Sequence, residues 1–178
     1  MKYLFIIILS ILPLKLDSFD IDNFRIEEGK LVWQKVYQTE LSKDELINQI
    51  RNSGEYENIE SNGENLTANI SRKELDFKEM GESNSSVPIY IVNSDINAFI
   101  LFEFKNAKYR VTVKKIVLVQ KSTNALSEEG ELTNIETFAL RNHNTELRKS
   151  FLNKPSEILD YTLTKLTKIE KVQQNDKW

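Results

Sequence analysis

A lone histidine, His143, and the absence of cysteine limit the chemistry open to this chain. Without cysteine there is no thiolate nucleophile and no disulfide, and one histidine cannot build a zinc site of nitrogen and sulfur ligands. His143 lies in Arg141-Asn142-His143-Asn144, a polar stretch that reads as a solvated loop. The five glycines are isolated, so there is no glycine-rich phosphate loop, and no Gly-x-Ser-x-Gly elbow occurs. Carboxylates remain. Glu27-Glu28, Glu128-Glu129 and Asp76 with Glu79 could supply a general acid and base if distant loops brought two of them into one pocket. Where they stand, in turns and loops, they read as solvent-facing. No catalytic residue, cofactor or metal is assigned.

A second group of polar residues has a clearer geometry. Leu101, Glu103, Lys105, Lys108, Arg110, Thr112 and Lys114 alternate with large apolar residues on either side of Asn106-Ala107. Two strands joined there by a two-residue turn pair Phe104 with Tyr109, Phe102 with Val111 and Ile100 with Val113 on one face. The other face then pairs Lys105 with Lys108, Glu103 with Arg110 and Leu101 with Thr112. A slip of one residue would bury the charges and expose the aromatics, so the register is strongly specified. Each large apolar side chain contributes ~1.5 to 3 kcal/mol on burial, against ~0.2 to 1 for the Glu103/Arg110 pair, so the core sets the hairpin. The polar face is the candidate interaction surface. It is either an anion-binding or partner-binding patch, or a solvated sheet face with cross-strand charge pairs.

Composition narrows the choice. The chain has 178 residues, 40% hydrophobic, with a formal charge of -3. That is enough for one domain with a real core and argues against a broad nucleic-acid footprint. Lys2 and the apolar run from Tyr3 to Leu14 read as a signal peptide over residues 1–18, too short to span a bilayer. Leu16-Asp17-Ser18 offers a cut before Phe19. An uncleaved N-terminal anchor is the alternative. Residues 19–178 are then a single exported domain, periplasmic or extracellular, without a transmembrane span.

Along that domain, a polar lead-in precedes a strand over 30–38, where Lys35 interrupts the apolar alternation. Either both faces are partly covered there or a bulge near Gln34 shifts the phase. Ser42-Lys43-Asp44-Glu45 matches a capping box and opens a helix to about residue 52, with Leu46, Ile47 and Ile50 on its buried stripe. Strands over 56–60 and 65–76 flank an Asn62-Gly63 turn. Residues 89–92 read as a short extended piece, and 133–140 as another strand. Pro155 starts a final helix to about Gln173, with Leu159, Leu163, Leu166 and Ile169 on one stripe.

Four pieces in this order carry a resemblance: Leu31-Val32-Trp33-Gln34-Lys35-Val36-Tyr37, the Ser42-x-x-Glu45-Leu46 helix start, the Phe104-Lys105-Asn106-Ala107-Lys108-Tyr109-Arg110-Val111 hairpin, and the final helix. Together they resemble an exported Bacteroidetes protein family of uncharacterised function with a TATA-binding-protein-like fold. The resemblance implies an α+β fold, an antiparallel twisted sheet in the order β-α-β-β-β-β-α with helices packed on one face. It implies no reaction. The turn departs from the family pattern, having Asn-Ala where Asn-Gly or Asp-Gly is usual. Ala107 at positive φ costs about 1 kcal/mol, which points to another turn type or a longer loop. The functional expectation is a non-enzymatic binding module for a cell-envelope component, partner protein or small ligand. The alternative is a hydrolase-type enzyme using a carboxylate pair.

Overall fold

Side chains alternate across a strand, so Ile96, Ala98, Ile100, Phe102 and Phe104 must share one face of whatever sheet they join. The computed structural model describes residues 23–124 and 127–171; the signal-peptide reading therefore falls outside the described residues. Its elements are β1 (Phe24–Glu27), β2 (Lys30–Gln38), α1 (Lys43–Asn52), β3 (Glu57–Asn62), β4 (Asn65–Glu74), α2 (Ile89–Val92) and β5 (Ser94–Lys105). They continue with β6 (Lys108–Gln120), β7 (Leu132–Asn134), α3 (Glu136–Ala139), β8 (Leu140–Arg141), β9 (Glu146–Leu147), α4 (Lys149–Leu152) and α5 (Lys154–Thr167). The architecture is α+β. An antiparallel sheet runs β1-β2-β6-β5-β4-β3, with β7 beside the second half of β6, and β8 and β9 form a separate hairpin.

The central hairpin has the register its pattern dictates: Phe104 faces Tyr109, Phe102 faces Val111, Ile100 faces Val113, and the polar pairs fall opposite as expected. Its inner face joins Leu31, Trp33 and Tyr37 of β2 and Leu66, Ala68 and Ile70 of β4 in one hydrophobic cluster. Leu46, Ile47 and Ile50 of α1 and Ile158, Leu159 and Leu163 of α5 pack into the same cluster, so the two longer helices cover one face only. The turn stays two residues long. Only Ala107, at φ 55°, is left-handed there, so the turn is not type I′.

β2 resolves its broken alternation by covering both faces, with no bulge. Its pairing with β6 is continuous from Trp33 to Gln38. Val32 is buried yet stands outside the main cluster, on the outer face, while Val36 is left exposed. Lys35 does lie on the inner side, but at the helix margin, where its Nζ donates to Thr164 Oγ1 at 2.8 Å. Nearby, Asp160 accepts Trp33 Nε1 at 2.7 Å and Asn23 Nδ2 at 2.6 Å, tying β2 to α5 across 127 residues.

Helix α1 begins as its capping box requires: the Ser42 amide donates to Glu45 Oε2 at 2.7 Å and the Glu45 amide to Ser42 Oγ at 3.3 Å. Helix α5 ends earlier than its apolar stripe predicts, at Thr167. Three tyrosines meet that end, Tyr37 and Tyr109 from the sheet and Tyr56 from just before β3. Tyr56 donates to the Leu166 carbonyl at 2.7 Å and Tyr109 to the Thr167 carbonyl at 3.1 Å, while Tyr37 shares a hydrogen bond with Thr167 Oγ1 at 2.8 Å. Tyr109 also accepts the Ile169 amide, so groups that would continue the helix are satisfied from the sheet. Ile169 still packs on the core, from outside the helix.

Other expectations give way to tertiary context. The polar lead-in contains strand β1, held by pairing with β2. Residues 89–92 form one helical turn instead of an extended piece: Pro88 precedes it with φ already at -56°, and the Asn93 amide returns to the Ile89 carbonyl. The strand expected over 133–140 is split into β7, α3 and β8. Three β-bulges, each with a residue at positive φ, interrupt the sheet: Asn58 in β3, Arg72 in β4 and Lys115 in β6. Bulges strengthen the twist of such a sheet.

Candidate functional site

Because strand side chains alternate, the residues that interleave with the core must share the outer sheet face. Leu101, Glu103, Lys105, Lys108, Arg110, Thr112 and Lys114 do so. Their electrostatics are largely internal. Arg110 holds Glu103 with two hydrogen bonds, Nε to Oε2 at 2.6 Å and Nη2 to Oε1 at 2.5 Å. That contact holds the Glu103 carboxyl below the usual carboxylate range and raises the Arg110 guanidinium. Thr112 is buried and accepts Gln34 Nε2 at 2.7 Å. Lys114 Nζ donates to Glu27 Oε2 at 2.8 Å, and this bond, followed by that from Arg25, lowers Glu27. Lys105 and Lys108 make no ion pair among the described residues and stand exposed beside the turn. These seven residues are therefore mixed in charge, with the two lysines that make no ion pair among the described residues at the turn end.

Lys114 leads to a feature that no local sequence signal announces. Beyond it, β6 has one residue more than β5: Phe99 pairs with Lys114 but Asn97 pairs with Val117. Lys115, at φ 54°, absorbs the difference. The bulge also marks where β6 changes partner. Its last pair with β2 is Val113 to Trp33, and from Val117 it pairs with Asn134 of β7. Successive strand amides point to opposite edges. The Gln34 amide goes to the Asn23 carbonyl on the β1 side, so the Leu31 amide points toward the departed β6. Glu136 supplies the missing acceptor, its Oε1 taking the Leu31 amide at 3.1 Å.

Glu136 is only 6% exposed. Its second oxygen has no partner among the described residues. It lines a groove of about 830 Å³ on the outer side, walled by Val32 and Val117 and bordered by Glu27, Glu28, Lys30, Lys114, Lys115 and Asn134. Of the expected acidic pairs, Glu27-Glu28 thus reaches a concave site, with Glu27 already engaged by Lys114 and Arg25. Asp76 and Glu79 come together elsewhere, around Lys165 Nζ at 3.1 and 2.6 Å. Glu128 and Glu129 are exposed. His143 is the exposed middle of three left-handed residues, Asn142, His143 and Asn144, that turn β8 into β9. Among the described residues no group of acidic or histidine side chains is arranged to hold a metal ion, and no helix is long and apolar enough to cross a membrane.

A second groove, about 490 Å³, opens near α2 and α3. There Tyr90 stacks on Phe138 with ring centroids 4.1 Å apart, and burial pushes the Tyr90 hydroxyl up to about 12.

No family model matches the chain, and no curated protein does. Two solved structures are similar to it. One is a TBP-like protein from Parabacteroides distasonis, 14% identical, with a TM-score of 0.47 over 82% of this chain and 98% of that one. The other is a DUF4468 family protein from Bacteroides ovatus, 15% identical, with a TM-score of 0.47 over 86% and 95%. The first of them is described by the fold type that the sequence resembles.

Proposed function

We propose that the chain is an exported, non-enzymatic binding module that engages an envelope component, partner protein or small ligand through the outer face of its sheet. The observation that carries this reading is the one-sided cover of the sheet. Both long helices lie on the inner face, while the outer face presents Glu103, Arg110, Lys114 and the partly exposed Leu101 to solvent. Its charges are ordered by cross-strand pairing, which keeps a recognition surface in one conformation. The export part of this reading is supported by the lysine and apolar run within residues 1–18.

A photo-crosslinking side chain at Leu101 tests the reading in the producing cell. It should capture a defined species that the same group at Tyr161, on the exposed side of α5, does not. Equal capture at both positions, or none at Leu101, overturns it. The hydrolase alternative retains one specific support, the carboxylates of Glu28 and Glu136 beside one groove. Turnover of ester, peptide or glycoside substrates that is lost in Glu136→Gln would establish it.

A further inference from the structure

We propose that the groove at the β6 bulge binds a small zwitterion of the free amino acid or short peptide class, with its ammonium on Glu136 and its carboxylate on Lys30 and Lys115. The inference rests on the binding-module reading and gives it a ligand class.

The floor of the groove comes first. Glu136 is nine-tenths buried, its Oε1 is committed to the Leu31 amide, and its other oxygen has no protein partner among the described residues. Every fully buried side-chain oxygen or nitrogen among those residues has a partner. The second oxygen therefore reaches the groove surface. A carboxylate held this deep with half of its acceptor capacity unused favours a positively charged donor.

The rim has the opposite character. Lys30 and Lys115 border the groove, are exposed, and form no ion pair among the described residues. Lys115 makes its one described contact with the Phe99 ring, 5.9 Å from the centroid. Lys114 is held by Glu27, which Arg25 shares, so that cluster leaves one further positive charge on the same rim. A plain cation would meet two lysines at the mouth, and a plain anion would meet Glu136 at the floor and Glu28 at the exposed β1–β2 turn. A molecule with both charges satisfies both ends. Val32 and Val117 give its uncharged part an apolar wall, and 830 Å³ is within the size range of small-molecule sites.

Titration of the isotope-labelled protein with free L-amino acids and dipeptides, followed by amide NMR, tests this. Acetate and an alkylamine serve as single-charge probes. Expected are saturable shifts at Leu31, Lys115 and Glu136 with the zwitterions, and much weaker shifts with either single-charge probe. Glu136→Gln keeps an acceptor for Leu31 and should leave the melting temperature near wild type while weakening binding about tenfold or more, the loss of a charge-assisted hydrogen bond. Lys30→Gln with Lys115→Gln should weaken it comparably. Absence of shifts at millimolar ligand, or shifts that Glu136→Gln leaves intact, overturns the proposal. If that happens while crosslinking at Leu101 still captures a partner, the ligand class fails and the binding-module reading stands. If a dipeptide binds and is cleaved, the site stands and the non-enzymatic reading fails.

Discussion

The hydroxyl of Tyr109 caps the last helix, donating to the Thr167 carbonyl at 3.1 Å while accepting the Ile169 amide at 2.8 Å. A strand residue thus sets where a helix 58 residues later stops. Tyr109→Phe removes both bonds, leaving the buried Thr167 carbonyl and the part-buried Ile169 amide without this partner. It should destabilise the fold by about 1 to 3 kcal/mol. Hydrogen exchange at Ile169 should accelerate beyond the global change, which native-state exchange measures directly.

The same tyrosines give stability an alkaline limit. Burial raises the hydroxyls of Tyr37, Tyr56 and Tyr109 above the ordinary tyrosine range. The unfolded chain releases these protons near pH ~10 while the folded chain keeps them, so their stabilisation is complete below that pH and is lost as pH rises above it. On the acid side, Glu27 and Glu103 are lowered by Lys114 with Arg25 and by Arg110. Their contribution is present above about pH 4 and fades below it. Because these pairs are half-exposed, salt should flatten the acid limb and leave the alkaline one. Urea midpoints across pH at two ionic strengths check both limbs.

Ala107 adopts φ 55° in the central turn. That conformation costs a non-glycine residue ~1 to 2 kcal/mol, and glycine's extra backbone entropy offsets ~0.5 to 1 of the gain. Ala107→Gly should therefore stabilise the protein by about 0.5 to 1 kcal/mol without altering the hairpin register. Thermal unfolding checks the gain and cross-strand NOEs check the register.

Phe102 and Glu103 are neighbours on opposite faces of β5, one fully buried and one in a surface pair. Phe102→Ala should cost about 3 to 5 kcal/mol. Glu103→Gln should cost no more than about 1 kcal/mol. Chemical denaturation of the two variants will show whether core burial outweighs the charge pair in fixing this hairpin.

If residues 1–18 are an export leader, mass spectrometry of the protein recovered from the envelope or medium should find a chain beginning at Phe19. A chain retaining Met1 in the membrane fraction would support the uncleaved anchor instead.

What could be read in the sequence was local. The hairpin register followed from six alternating residues beside Asn106-Ala107, and the start of α1 from Ser42 and Glu45 three positions apart. The end of α5 was not legible, because Tyr37, Tyr56 and Tyr109 fix it from 58 to 130 residues away. β1 was hidden for a similar reason: four residues of mixed polarity become a strand through pairing with β2. Of the candidate surface, the shared face was legible and the groove beside it was not. Glu136 acts on Leu31 across 105 residues, and only the bulge at Lys115 explains why that amide needs an acceptor.

The outermost strand on the other side of the sheet, β3, has Glu57 and Glu60 exposed on either side of its bulge at Asn58. A second copy adding itself antiparallel in the register that sets Glu57 opposite Glu60 would place carboxylate against carboxylate, with a kink where the next hydrogen bond should form. The sheet thus ends in a border that resists edge-to-edge stacking in that register.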